Sequence, residues 1–184
     1  MESVYFLNNM SQDFFTLLNI DIEFDIDLNK LNRNYFQLQK QFHPDQHVKI
    51  DAQGKIQELE YSAKINEAYT TIKDPLSRAA YLLVLQGIEI NENTYTIGDS
   101  VFLEKSMEDR ELLQEVETLP ILEKFEAEIL SRQTIALKEF SECYKKKFMI
   151  EATEIYIQLK YITRLLEEIS HKRRFINDAT THNK

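Results

Sequence analysis

The residues that punctuate sheets and loops are scarce in this chain: 3 Gly and 3 Pro among 184 residues, and no Trp. A sheet protein needs far more turn-forming residues, so the scarcity favours long helices. A single cysteine, Cys143, excludes an internal disulfide and every all-cysteine zinc cage, and its setting in an apolar helical pattern reads as a small buried hydrophobe. So few glycines supply neither a phosphate-cradling loop nor a glycine-bearing oxyanion turn. No apolar run approaches the roughly 18–20 residues that span a bilayer. Basic residues are the minority, 22 Lys and Arg against 31 Asp and Glu, and the formal charge of −9 opposes nucleic acid and anionic lipid as partners. Met1 to Phe15 carries acidic residues and no basic one, unlike a secretory signal or an Arg-rich transit peptide. The expected compartment is the cytosol.

What the sequence does have is helical periodicity. Asp13 to Leu18 reads as a short apolar helix ending in the acidic stretch from Asn19 to Asp27. Leu28, Leu31, Tyr35, Leu38 and Phe42 then recur at intervals of three, four, three and four, one apolar stripe of a longer helix. Lys30, Arg33, Gln37, Lys40 and Gln41 fall on its other side, and no acidic residue occurs between Leu28 and Pro44. This is a basic face on an acidic protein. Pro44 disfavours helical angles at His43, which stops the helix near Phe42. A third helix is expected from Ala52 to Lys73, where Tyr61, Ile65, Ala68 and Ile72 pack back on the second as an antiparallel hairpin. Asp74 as a cap, Pro75 at the first helical position and Gly87 as a stop bound a fourth, largely apolar helix, read as buried at a junction.

Periodicity lapses from Gly87 to Gly98. The expected organisation is a first unit over residues 1–86, a linker over 87–98 and a three-helix bundle over 99–184, all α. In the bundle, one helix spans Ser100 to Thr118, Pro120 marks a break before a second that runs to about Lys147, and a third carries the seam Ile155, Leu159, Ile162, Leu166, Ile169. Lys145-Lys146-Lys147 reads as a solvated turn, and His171-Lys172-Arg173-Arg174 as complementing a helix C-terminus.

Two places carry candidate chemistry. At the hairpin tip, His43, Asp45 and His47 alternate and offer a metal two imidazoles and a carboxylate, but the ligand set is incomplete, with His171 and His182 far along the chain. His43 with Asp45 resembles a general-base dyad without a nucleophile. Neither a resident metal nor catalysis by this chain is expected. The plain alternative is a rigid turn, Pro44 fixing the backbone and Asp45 bonding an amide. In the bundle, Phe102, Leu113 and Val116 face inward, while Leu103 and Met107 lie about 100–140° round the helix, bordered by Glu104, Glu108 and Glu111. Tyr161 lies off the last helix's seam, beside that ridge. Periodicity alone equally allows Leu103 and Met107 to widen the buried stripe.

His43-Pro44-Asp45 between two long antiparallel helices, with a basic face on the first, resembles the J-domain co-chaperones. The likeness is closer to the HscB branch, co-chaperones of iron–sulfur cluster assembly, through Ser62-Ala63-Lys64-Ile65-Asn66-Glu67-Ala68-Tyr69, Asp74-Pro75-Leu76-Ser77-Arg78-Ala79-Ala80-Tyr81-Leu82-Leu83, Phe102-Leu103-Glu104 and Arg110-Glu111-Leu112-Leu113. The resemblance implies a J domain over 1–86 and a scaffold-binding bundle over 99–184. It implies that His43, Pro44, Asp45, Lys30, Arg33 and Lys40 engage a specialised Hsp70-type chaperone (HscA-like) and stimulate its ATPase. It implies that Leu103, Met107, Glu108, Glu111 and Tyr161 hold the cluster scaffold (IscU-like). Gln46 stands where many members carry Lys, and Glu104 where many carry an apolar residue. The absence of a cysteine-rich metal module fits a bacterial, cytoplasmic form with no resident cofactor. Two rivals remain: a J-protein for another client, and a small metal-dependent hydrolase using His43, Asp45 and His47.

Overall fold

The computed structural model describes residues 12–42, 52–90 and 100–181, and among these it is all helical. The elements are α1 (Phe14–Leu17), α2 (Leu28–Gln41), α3 (Ala52–Lys73), α4 (Pro75–Leu85), α5 (Ser100–Glu115), α6 (Leu119–Lys145) and α7 (Met149–Thr181). They fall into two compact units that meet in sequence between Gly87 and Ile88. No helix among the described residues is long and apolar enough to cross a membrane.

In the first unit α1, α2 and α4 all pack on α3. The anticipated α3 stripe of Tyr61, Ile65, Ala68 and Ile72 is buried along its whole length, against Phe15, Leu18, Leu31, Leu82 and Leu83 of the same unit's core. On α2 the stripe is narrower than its spacing suggests. Leu31 and Phe42 are buried, Tyr35 and Leu38 half-buried, and Leu28 at the first helical position is exposed. Polar rungs complete the α2–α3 contact: Tyr69 donates to Asn32 Oδ1 (2.8 Å), Tyr35 and Gln39 donate to Asn66 Oδ1 (2.9 and 2.8 Å), and the Tyr35 and Tyr69 rings stack at 3.9 Å. The partner of Asn32 is Tyr69 and that of Phe42 is Tyr61, so the two helices run antiparallel.

Each junction in this unit has a local cause. Asp74 caps α4 by accepting from the Ser77 amide (2.7 Å), with Pro75 in the first turn where its missing N–H costs nothing. One turn on, Arg78 is buried, lies over the Phe24 ring (5.0 Å) and donates to the carbonyl of Ile72 in the last turn of α3 (2.7 Å). Burial pushes the Arg78 guanidinium pKa down, opposed by Asp25 and Asp74. Tyr81 stacks on Phe14 (4.6 Å) and accepts the Phe14 amide (2.9 Å), tying α4 to α1. Not all of α4 is buried: Val84 is 52% exposed and Leu85 is exposed as well, because the unit covers only the face that carries Arg78, Ala79, Leu82 and Leu83.

The second unit is a long α6–α7 hairpin with α5 laid on α7. Leu122, Phe125, Ile129, Ala136, Phe140 and Tyr144 face Ala152, Tyr156, Leu159, Ile162, Leu165 and Ile169 across the core. Of the anticipated seam, Leu159, Ile162 and Ile169 are buried, while Ile155 and Leu166 are half-buried because Tyr156 and Leu165 take the centre. α5 ends at Glu115, three residues earlier than expected, and Val116 turns inward. The expected break between α5 and α6 falls at 116–118, and Pro120 sits just beyond it in the first turn of α6. α7 runs on to Thr181, so the run from His171 to Arg174 lies inside it, and the helix C-terminus that Lys172 complements is that of α5, where it donates to the Gln114 carbonyl (3.0 Å). Cys143 is half-buried, and burial pushes its thiol pKa up.

The hairpin turn rests on Lys147, whose φ of 63° is left-handed. The Phe148 amide bonds the Cys143 carbonyl (2.9 Å) and the Lys147 amide that of Tyr144 (3.1 Å), a Schellman closure built without its usual glycine. A side chain in this region costs about 1 kcal/mol, partly offset by the chain entropy that glycine would lose. Lys147→Gly is therefore expected to raise the unfolding free energy by about 0.5–1 kcal/mol, seen as a higher urea midpoint. A lower midpoint would show that the Lys147 contact with the Tyr144 ring outweighs the backbone strain.

Candidate functional site

The basic face belongs to α2. Asp27 caps this helix with Oδ1 accepting from the amides of Asn29 (2.8 Å) and Lys30 (3.1 Å). The Lys30 and Asn29 amides, together with nearby Arg33, hold the Asp27 carboxyl below the usual carboxylate range. With Leu31 turned inward, Arg33, Gln37 and Lys40 point outward and are exposed. Lys30 is half-buried and reaches Asp21 (3.3 Å), and Arg33 lies 4.0 Å from Asp27. Phe36, one step round from Arg33 and Lys40, is 67% exposed, an apolar side chain on the cationic face that the stripe analysis left unassigned. His43, Pro44, Asp45, Gln46 and His47 lie outside the described residues.

The second candidate surface is formed by α5 and α7. Met107 is 63% exposed, Glu108 and Glu111 are exposed, and Leu103 is half-buried, so the ridge is a surface rather than a widened core stripe. Tyr161 of α7 meets α5 at Phe102 and Arg110. Its ring meets Phe102 edge-on (5.5 Å), and the Arg110 guanidinium lies over it (5.9 Å) while Arg110 Nε approaches Glu168 (3.6 Å). α5 and α7 thus run parallel, and Leu103, Met107 and Arg110 share a side with Tyr161.

Beneath this surface lies an ion pair that motif reading did not single out. Asp109, 1% exposed, accepts from Arg132 of α6 (2.7 Å) and stands 3.6 Å from Lys105. A small cavity of about 10 Å³ lined by Phe102, Ser106, Tyr161 and Leu165 adjoins it. The pair was discoverable. Asp109 falls on the inward stripe Phe102, Ser106, Leu113, and Arg132 on the stripe Leu122, Phe125, Ile129, Ala136. Opposite charges set into two apolar stripes of one bundle are expected to meet, because neither tolerates burial alone.

Comparison with known proteins gives the class and then the family. Residues 13–81 match the DnaJ domain, and residues 98–170 match the HSCB C-terminal oligomerisation domain. The first unit is thus a J domain and the second the helical bundle that accompanies it in HscB proteins. Co-chaperone protein HscB of Proteus mirabilis is 32% identical over 91% of this chain and 99% of its own length. The mouse iron-sulfur cluster co-chaperone protein HscB is 33% identical, over 86% of this chain and 68% of its own length. Among solved structures, chaperone HscB from Vibrio cholerae superposes with a TM-score of 0.82 at 31% identity, covering 90% of this chain and 99% of that one. Human HscB gives 0.85 at 33%, covering 89% and 83%. The chain belongs to the HscB family of J-domain co-chaperones.

The ion pair can be tested directly. Arg132→Ala leaves the buried Asp109 carboxylate with only Lys105 nearby and without its hydrogen bond, and is expected to cost about 3 kcal/mol. Asp109→Leu with Arg132→Met replaces the pair by packing and is expected to stay within about 1 kcal/mol of the parent. Urea unfolding followed by helical circular dichroism measures both. Equal losses would show that the site works by packing and not by charge pairing.

Proposed function

We propose that this chain is an adaptor in iron–sulfur cluster assembly, which docks on an Hsp70-type ATPase through its J domain, stimulates ATP hydrolysis there, and delivers a cluster scaffold protein held by its bundle. It hydrolyses nothing itself and acts in the cytoplasm of a bacterium. The observation that carries the reading is the conjunction of two surfaces in one chain of the HscB family: an acid-free helix leading into His43-Pro44-Asp45, and an exposed apolar ridge edged with carboxylates.

The chemistry of each surface suits its assigned partner. Arg33 and Lys40 project from α2 on a protein of charge −9 and give a local positive field that steers an acidic groove of the chaperone into register. The surface pairs of Lys30 with Asp21 and Arg33 with Asp27 are worth little and yield readily to a partner's carboxylates. His43, Pro44 and Asp45 act on the ATPase by binding its hydrolysing conformation better than its resting one, since only differential contact shifts a population. On the bundle, Leu103, Met107 and Tyr161 supply apolar anchors, and Glu108 and Glu111 select a basic rim.

ATP turnover of the cognate chaperone, measured with and without scaffold, tests the whole reading. His43→Gln is expected to leave folding and scaffold binding intact and to abolish stimulation. Wild type and scaffold together are expected to stimulate more than the sum of their separate effects. Unchanged stimulation by the variant would overturn the role of the loop. Lys40→Glu is expected to weaken chaperone docking more at 50 mM than at 500 mM salt, roughly following the fall of the Debye length to a few ångströms. A salt-independent loss would point to packing instead.

A further inference from the structure

The parallel seam between α5 and α7 does not end at Tyr161. Below the Phe102–Tyr161 contact it continues through the Arg110–Glu168 pair to the Lys172 bond on the Gln114 carbonyl. There it opens into a groove of about 420 Å³ lined by Leu113, Gln114, Glu168, His171, Lys172 and Phe175. Phe175 is 72% exposed and lies beyond residue 170, where the match to the family's C-terminal domain stops. A buried role does not account for it, because its neighbour Ile176 is the residue that α7 turns into the core at this level.

The two ends of the seam differ in charge. Around Met107 the exposed carboxylates are Glu108 and Glu111, and Glu108 is paired with the part-exposed Lys105 (3.5 Å). At the lower end Glu168 is engaged by Arg110, and Arg173 is drawn to the other side of α7 by Glu126 and Glu123. His171 and Lys172 remain at the groove, and neither forms an ion pair among the described residues. His171 Nδ1 accepts from the Arg174 guanidinium (3.0 Å), so the cations near this end are Lys172 and Arg174.

We propose that the scaffold-binding surface extends along this seam to a second anchor point at Phe175, which seats an apolar side chain of the same partner against its ring with an adjacent carboxylate facing Lys172. The inference rests on the assignment of the Leu103–Tyr161 ridge to the scaffold. Tyr161 and Phe175 are separated by fourteen residues of one helix, so the partner spans roughly 20 Å of surface. Continuity with the ridge, with Glu111, unpaired among the described residues, toward one end and Lys172 at the other, favours one elongated partner over two unrelated ones, since each end then meets its complement in a fixed order.

Titration calorimetry of purified scaffold into the full chain tests this. Phe175→Ala is expected to weaken binding about tenfold, with helical content and melting temperature unchanged because the ring is exposed. Phe175→Leu is expected to recover most of that loss, and His171→Glu with Lys172→Glu to weaken binding more at low salt than at high salt. The paired variant Leu103→Ala with Tyr161→Ala is the reference. If it abolishes binding while Phe175→Ala leaves the affinity unchanged, the second anchor is wrong and the ridge stands. If it leaves binding intact, the ridge assignment falls and the second anchor falls with it. Sedimentation of the chain alone decides the rival occupant: a Phe175→Ala effect confined to self-association would give the groove to a second copy and overturn the proposal.

Discussion

A helix turning about 100° per residue cannot shift its buried stripe without swinging its exposed one. In this chain both proposed partner surfaces ride on helices that are held from one side. α2 is fixed by Leu31 and Phe42 inside and by the rungs from Tyr35, Gln39 and Asn32 to α3. α5 is fixed by Leu113, Val116 and the Asp109–Arg132 pair. What these inner groups set is the bearing of Arg33 and Lys40 in one unit and of Met107, Glu108 and Glu111 in the other. Directional bonds matter more here than apolar area, since oily contacts tolerate a small roll of the helix and a 2.7 Å charge-assisted bond to a fixed guanidinium does not.

The same device recurs at two helix ends. The last carbonyls of a helix have no partner within it, and burying them bare is costly. Arg78 answers this for the buried carbonyl of Ile72 in α3, and Lys172 makes the corresponding bond, at the surface, to Gln114 of α5. Each cation comes from another helix, so the bond caps one element and locks a second against it. In the J domain this pins α4 to α3 one turn after the Asp74 cap has set its direction. In the bundle it pins the C-terminal end of α5 to α7 at the mouth of the lower groove.

Most of the architecture was legible because stripe and cap signals coincide. Leu31 and Phe42 on α2, Tyr61 to Ile72 on α3, and the Asp74-Pro75 start of α4 each combine periodicity with a residue whose stereochemistry fixes a boundary. The differences are ones of bounds and partner. The break that Pro120 marks lies at 116–118, because the proline sits inside the first turn of α6. Of the cations at 171–174, Lys172 does complement a helix C-terminus, that of α5 and not of its own helix, while Arg173 pairs with Glu123 and Glu126 of α6. Lys147 gives no sign in sequence of its left-handed backbone, because the Schellman bonds that hold it are made by main chain alone. Of the candidate surfaces, the exposed ridge was readable as an angle on a wheel. The groove at Phe175 was not, since it depends on how far α7 runs past its last buried seam residue.

Exposed apolar anchors on a small protein are open to self-association, and the charges beside them bear on what a symmetric contact would cost. A dimer with two-fold symmetry places a patch against its own copy, so Glu108 and Glu111 beside Met107 would face the same two carboxylates across the contact. At physiological salt the screening length is about 8 Å, long enough for that repulsion to act at the distance where Met107 would begin to be buried. A basic partner meets attraction at the same distance. The formal charge of −9 acts in the same sense over the whole surface, and only the acid-free helix α2 departs from it. On the reading of this ridge as a partner surface, its carboxylates would act as a filter, favouring a partner of opposite charge over a symmetric contact with another copy of the chain.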